Sequence, residues 1–458
     1  MEKSELLIYE TGEAFLAFAE EAPPEEIGKL FNELQKDFFQ HEEKLKVFFS
    51  VIPFPKNVRT FEHLDFALQQ KLLEIAPLSL TSALLNELSP DDRTRLFSEV
   101  PKETLAKWLS MLSVQERKDA LKLLEYPPES IGRLMTTDYI AVRPEWTCEK
   151  TIKFIRDFGL NSETINFIYV VDKDNKLIDD LKIREILLAD PETTIGDLVD
   201  HRFVSLEATS DQEKSIPIFM ETDRFALPVT DFNGKLLGIV TTDDVLDVIE
   251  REDTEDIQKL GGSEALDEPY LDIRLSGLVK KRAGWLIILF LGEMLTASAM
   301  SFFENEISSA VVLALFIPLI ISSGGNSGSQ AATIITRALA LGEVSKADWT
   351  KVLKREIVSG LMLGLILGGI GFLRVLLWST LFDAYGAYSV KIAATIGCSL
   401  LGVVLWGTLS GSMLPIFLKS LGFDPAVSSA PFVATIVDVT GIIIYFSMAF
   451  IFLKGTLL

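Results

Sequence analysis

The spacing of apolar residues changes twice along the chain, near residue 136 and again near residue 283. Up to about residue 130 it follows a helical period, and from Ser89 onward helix starts recur every 12 residues. Ser89-Pro90-Asp91-Asp92, Pro101-Lys102-Glu103 and Ser113-Val114-Gln115-Glu116 each join a cap or a leading proline to first-turn acids, which the helix dipole favours there. Leu96, Phe97, Leu105, Trp108, Leu109 and Leu121 lie between them at spacings that suit a buried face. The pattern predicts a superhelical array of short helical hairpins over residues 1–135.

From residue 136 to 253 the pattern becomes that of strands, and it repeats. Tyr169-Val170-Val171-Asp172-Lys173-Asp174-Asn175-Lys176-Leu177 returns 59 residues later as Pro228-Val229-Thr230-Asp231-Phe232-Asn233-Gly234-Lys235-Leu236. Each copy reads as strand, polar turn, strand and helix, with the helices over Ile183 to Leu188 and Asp243 to Glu250. Asp, Asn and Gly in the turns supply the backbone freedom a hairpin requires. This repeat resembles tandem CBS domains, small regulatory modules that bind adenine nucleotides or ions. The resemblance implies modules over 136–197 and 198–256, with Gly238-Ile239-Val240-Thr241-Thr242-Asp243-Asp244 as the strand-to-helix motif. It makes Thr241 and Asp244 the candidate nucleotide residues, for phosphate and ribose of a molecule such as ATP. Asp179-Asp180 replaces Gly238-Ile239 in the first copy and argues against a nucleotide there.

A linker, expected to be helical and to occupy 257–282, ends in Lys280-Lys281-Arg282. Beyond it apolar runs near 283–303, 307–340, 352–380, 389–418 and 427–453 approach or exceed the roughly 20 residues that span a bilayer. The second is expected to be broken at Pro318 and at Gly324-Gly325. Basic residues at 280–282 and at Lys346, Lys351, Lys354 and Arg355, against Glu304 and Glu306 on the alternate loop, place the N-terminus in the cytosol and the C-terminus outside. The opening Met-Glu-Lys-Ser-Glu does not read as a signal peptide. The fold class expected is therefore a cytosolic all-α domain, an α/β pair and a five-span helical membrane domain over 283–458.

Charge sharpens this division. The chain carries 65 acidic and 43 basic residues, net −22, yet after Arg282 the two signs are equal in number, so the whole excess sits in the first part. Such a surface disfavours nucleic acid and attracts cations. Cys148 and Cys398 cannot form a disulfide framework, and the three histidines are too scattered to build a metal cage. No paired general acid and base, nucleophile triad or metal-hydrolase motif appears, so an enzyme is not expected.

An ionisable side chain in lipid is a functional candidate by default, and Glu293 and Asp438 stand near the centres of spans one and five. Asp438, about eleven residues from Val427, is roughly 16 Å deep at 1.5 Å per residue. Its neighbours Ala434, Thr435, Thr440 and Gly441 leave room for water or a second helix. Gly324-Gly325-Asn326-Ser327-Gly328-Ser329-Gln330 places polar side chains and a flexible backbone in an apolar run, an arrangement tolerated where it lines a water-filled path. It is no phosphate loop, lacking the Lys-Ser/Thr ending and a preceding strand.

These segments resemble the MgtE family of magnesium channels. Pro318 to Glu343 and PFVATIVDVTG match its membrane signatures; Tyr126-Pro127, Gly132-Arg133-Leu134-Met135-Thr136 and Asp243 to Asp256 match its soluble ones. The resemblance implies a homodimer in the lipid bilayer, with a pore on the two-fold axis lined by spans two and five. It implies Asp438 as the ion-binding aspartate, with Gly325, Asn326 and Ala434 beside the path. It implies that Asp211, Glu213, Asp223, Asp244, Asp247, Glu252, Glu255 and Asp256 bridge cytosolic Mg²⁺ and close the pore. Glu293, and Ala430 where some members have asparagine, depart from the family pattern. A carrier of another solute regulated by nucleotide, and a membrane-anchored sensor without a pore, are the readings that residue patterns alone leave open.

Overall fold

The computed structural model describes residues 12–222, 224–266, 270–271, 273–382 and 385–457. The chain divides into two compact units, Met1–Ile249 and Glu250–Leu458.

In the first unit, helices Pro90–Ser98, Lys102–Met111 and Val114–Leu124 begin at the 12-residue spacing read from their caps. Ser113 accepts from the Glu116 amide, whereas Ser89 donates to the Asp92 carboxylate. Phe15, Phe31, Phe38, Phe49 and Phe61 fill the core of the first turns of this array, and Trp108 packs against Phe97 farther along. Arg93 is buried inside the array and ion-paired to Glu116 at 2.5 Å.

The repeat folds as two three-stranded sheets, β1 (Ala141–Val142), β2 (Phe167–Val171) and β3 (Leu177–Lys182), then β4 (Leu206–Glu207), β5 (Ala226–Thr230) and β6 (Leu236–Thr241). In each, the short first strand runs parallel to the second and the third returns antiparallel. The two turns are built alike. Asp172 Oδ1 accepts from the amides of Asp174 and Lys176, and Asp231 Oδ1 from those of Asn233 and Lys235. Asn175 and Gly234, one repeat apart, both take positive φ, which their short or absent side chains allow. The copies also join reciprocally, Leu177 N to Gly234 O and Leu236 N to Asn175 O, each at 2.9 Å. Asp179-Asp180 is spent internally in the first copy. Asp179 accepts from the amides of Asp200 and His201, and Asp180 is ion-paired with Arg224.

Among the described residues the second unit contains five helices long and apolar enough to cross a membrane, Leu275–Phe302, Ile317–Ala340, Trp349–Phe382, Ser389–Ser420 and Ala430–Leu453. Two expectations change. The linker over 257–282 is not one helix: the acidic helix Thr242–Leu260 continues the second CBS motif, and the next starts at Leu275, so Lys280-Lys281-Arg282 lies inside the first span. Nor is the second span broken at its glycines. The break expected at Pro318 is present, since the short helix Val311–Ala314 ends before it and a new one starts at Ile317 with the proline in its first turn, where it needs no amide partner; that helix then runs unbroken through Gly324 and Gly325.

Those glycines act in packing instead. A Cβ on Gly407 would overlap the carbonyl oxygen of Gly324, one on Gly411 that of Gly328, and one on Gly324 the side chain of Val403. The second and fourth spans therefore touch backbone to backbone, an approach open only to small residues. Ser327 and Thr408 hydroxyls share a hydrogen bond of 2.7 Å within that contact. Gly360, Gly364 and Gly368 bring the third span against Leu405, Leu401 and Gly397 of the fourth in the same manner.

Gly411→Ala is expected to destabilise the purified protein by about 1–3 kcal/mol through overpacking. Gly369→Ala, at a glycine of the third span with nothing within 4 Å of its added methyl, should be neutral or slightly stabilising. Thermal unfolding in detergent compares the two.

Candidate functional site: an acidic cluster and a polar membrane stripe

Two groups of residues stand out, one in each unit. In the first unit, Asp91 and Asp92 open the helix Pro90–Ser98 and meet Asp243, Asp244 and Asp247 of the acidic helix, with Glu163 beside them. Arg95 is the cation within the group, donating to Asp92 Oδ1 at 2.8 Å and to Asp247 Oδ2 at 2.9 Å. Asp244 accepts from the amide and hydroxyl of Thr241, and so caps its own helix.

Burial, with repulsion from neighbouring carboxylates behind it, raises Asp91, Asp92, Asp244 and Glu163. Burial, then Asp244 and Asp92, pushes Asp91 well up, and one of its carboxyl oxygens is buried with no hydrogen-bond partner. Asp244 is pushed up to about 6, chiefly by burial. Burial followed by Asp243 and Asp244 lifts Glu163 to about 7, and burial followed by Asp92 and Glu163 lifts Glu62 to about 7. Asp91, Asp92, Glu62 and Glu163 were not singled out from the sequence as site residues. Asp91 and Asp92 read there as first-turn acids, and only the fold shows that they face a second acidic helix.

Of the acids predicted to bind the ion in the soluble part, Asp244 and Asp247 belong to this cluster. Asp211 instead accepts from the Glu213 amide and caps a short 3-10 turn over Gln212–Lys214. Glu252, Glu255 and Asp256 fall in the second unit, where Glu255 is ion-paired with Lys259 and burial, then Asp424, raises Asp256 to about 6. Asp223 lies outside the described residues. Among the described residues no three His, Cys, Asp or Glu side chains are arranged to hold a metal ion directly.

In the second unit, Gly325 of the second span abuts Ala434 of the fifth, 3.5 Å from its hypothetical Cβ to that of Ala434. Asp438, one turn beyond Ala434, is half-buried, and Glu293 on the first span bears on it electrostatically. Gly292 packs against Thr435, which holds Glu293 at that level. Ser322, Asn326, Gln330, Thr333 and Arg337 all lie exposed along one side of the second span. Spacings of three and four residues put them on one stripe. The segment read from sequence as a flexible polar interruption is thus a regular helix with one polar face.

Carboxyls raised in the folded state bind more protons there than when unfolded, with ordinary values of about 4. Stability held at pH 4 is therefore lost as pH rises through the folded values of about 6 to 7. In chelator, residues 12–249 should resist protease better at pH 5 than at pH 7.5. Mg²⁺ should protect them at pH 7.5 and have much less effect at pH 5.

Comparison with known proteins identifies the family. Family models match the MgtE intracellular N domain over residues 22–129, the CBS domain over 131–192 and 195–251, and the MgtE divalent cation transporter over 317–448. The magnesium transporter MgtE of Thermus thermophilus is 36% identical over 439 residues, 95% of this chain and 94% of that protein. The transporter of the same name from Enterococcus faecalis is 33% identical over 341 residues, 74% and 73% of the two chains. A crystal structure of the cytosolic domain of the Mg²⁺ channel MgtE in complex with ATP covers 52% of this chain and 95% of its own, at 31% identity and a TM-score of 0.48. With intracellular, CBS and membrane parts all matched in order, and a relative aligned over nearly its whole length, this chain belongs to the MgtE family.

Proposed function

We propose that the chain carries Mg²⁺ across a cell membrane through a path on the two-fold axis of a homodimer, and that cytosolic Mg²⁺ closes it. In this reading residues 1–135, 136–197 and 198–256 form the sensor, 257–282 connect it, and 283–458 make the path.

The polar stripe of the second span carries the reading. Ser322, Asn326 and Gln330, facing outward from an apolar helical unit, are unsuited to lipid, because a bilayer core supplies no hydrogen-bond partners. A second copy packed on the same surface gives an isologous contact and lines a wet path with both stripes. Asp438, Ala434, Gly325 and Asn326 then meet their counterparts across the axis. Two converging carboxylates repel, and a hydrated divalent ion between them removes the repulsion. Mg²⁺ suits such a site because it gives up its waters reluctantly and takes few direct protein ligands.

The acidic cluster supports regulation by the same ion. Asp91, Asp92 and Asp244 are held beside Asp243 and Asp247 at the cost of raised protonation of the first three, and a divalent cation among them offsets that cost. Asp211, Glu213, Asp223, Glu252, Glu255 and Asp256 complete the proposed set of sensor acids, Glu255 being paired with Lys259. ATP at the second CBS module is part of the proposal, with its ribose competing for the Thr241–Asp244 hydrogen bond.

Asp438→Asn and Asp438→Ala are expected to abolish Mg²⁺ uptake into liposomes while the protein still purifies as a dimer; normal uptake by a folded Asp438→Ala protein would exclude the ion site. A tag at Met1 should be protected in intact cells and one after Leu458 accessible. Both on one side would contradict the five-span orientation.

A further inference from the structure

The fifth span makes two close contacts at one level. Ala434 meets Gly325 of the second span, whose added Cβ would lie 3.5 Å from it, and Thr435 meets Gly292 of the first, whose added Cβ would lie 2.6 Å from the Thr435 methyl. Successive helical residues are turned by about 100°. Asp438 therefore points about 40° from Ala434 and about 60° from Thr435, between the two contacts and into the crevice beside spans one and two. Glu293 follows Gly292 on the first span and is exposed, and Asn326 follows Gly325 on the second. With spans one and five crossing in the same direction, a rise of about 1.5 Å per residue leaves Glu293 and Asp438 within about 3 Å of one level. Glu293 is also the charged group that bears on Asp438.

The lack of an internal partner sets this pair apart. Asp253 has Arg337, Asp348 has Lys351, and Asp424 has Lys259 at 2.6 Å. Among the described residues no cation or hydrogen-bond donor reaches the carboxylate of Asp438 or of Glu293. Thr296, one turn past Glu293, has a buried hydroxyl that is likewise without a partner there. Polar groups from two spans thus border one crevice with nothing in the chain to satisfy them, and at membrane depth they need water or a cation. Glu293 departs from the family pattern, so the resemblance implies no role for it.

We propose that Glu293 is a specificity-determining residue of the path, a second carboxylate at the level of Asp438 that strengthens the preference for a divalent over a monovalent cation. Coulomb attraction scales with the charge of the cation, so each added carboxylate favours a divalent ion twice as strongly as a monovalent one. The number of charged ligands also tunes how tightly a carboxylate site holds a divalent ion. In the dimer the ion meets four carboxylates, two from each copy. The inference rests on the transport reading, in which Asp438 binds the ion, and it deepens that reading by assigning the discrimination to a side chain of the first span.

Uptake into liposomes with the cytosolic face kept in chelator tests the flux. Glu293→Gln should raise the half-saturating Mg²⁺ by roughly tenfold, keep the maximal rate, and let Na⁺ compete at concentrations that leave the unaltered protein unaffected. Glu293→Asp, which keeps the charge, should stay near the unaltered value. An unchanged half-saturation in Glu293→Gln, or an equal shift in Glu293→Asp, overturns the proposal. A second measurement needs no flux. An apolar carbodiimide converts carboxyls at membrane depth to N-acylureas, and peptide mass spectrometry reports which. Mg²⁺ should slow its reaction with Glu293 in the full-length protein and have no such effect in Asp438→Asn. Labelling of Glu293 that ignores Mg²⁺ in the unaltered protein overturns the proposal whatever the flux shows. The two readings fail separately. Inactive Asp438→Asn with a Glu293→Gln protein of unaltered affinity and Na⁺ sensitivity removes the role of Glu293 and leaves the ion site. Normal uptake by Asp438→Asn removes the ion site at Asp438, and Mg²⁺ protection of Glu293 in that variant then overturns the pairing as well.

Discussion

The membrane unit depends on backbone contact between its second and fourth helices. Gly324 against Gly407 and Gly328 against Gly411 leave no space for a Cβ, so the two helices meet at a distance no larger residues permit. That contact sets the rotation of the second span about its own axis. With the glycine side turned inward, Ser322, Asn326, Gln330, Thr333 and Arg337 must point the other way. Packing of Gly325 on Ala434 then brings the fifth span, and Asp438 with it, to the edge of the same stripe. The placement of every proposed path residue follows from where glycine allows close approach.

In the first unit repulsion has the corresponding role. Folding brings Asp91 and Asp92 up to Asp243, Asp244 and Asp247 with Arg95 as the cation between them. Such a surface is least comfortable when fully ionised and is relieved by protons or by divalent ions. Asp180 shows the opposite solution, since Arg224 pairs with it within the fold. Lys259 between Glu255 and Asp424 is a third arrangement, in which the counter-ion belongs to the chain but the partners come from separate elements.

Local patterns in the sequence carried a large part of this architecture. The 12-residue recurrence of capped helix starts, the 59-residue repeat with its two Asp-led turns, and five apolar runs each reflect interactions within a few residues, and each has its counterpart in the structure, the first span beginning earlier than its apolar run. Gly324-Gly325 was misread for a physical reason. Glycine loosens an isolated helix, but in a packed bundle it admits a neighbouring backbone, and only the neighbour reveals which effect applies. The basic triplet at 280–282 likewise marked the start of a span without showing that the helix begins a turn and a half earlier.

What the sequence determined by itself was therefore the order of domains, the membrane segments, the rarity of Asp438 and Glu293 among apolar neighbours, and the excess of acid before residue 283. Which acids face one another was decided by the tertiary structure alone. Asp91 and Asp244 are separated by more than 150 residues of chain yet repel at close range, and Lys259 reaches Asp424 across a comparable interval. Charge and hydropathy are properties of a residue and can be read along the chain. Repulsion, pairing and close approach are properties of a distance, and distances between remote residues exist only after the chain has folded.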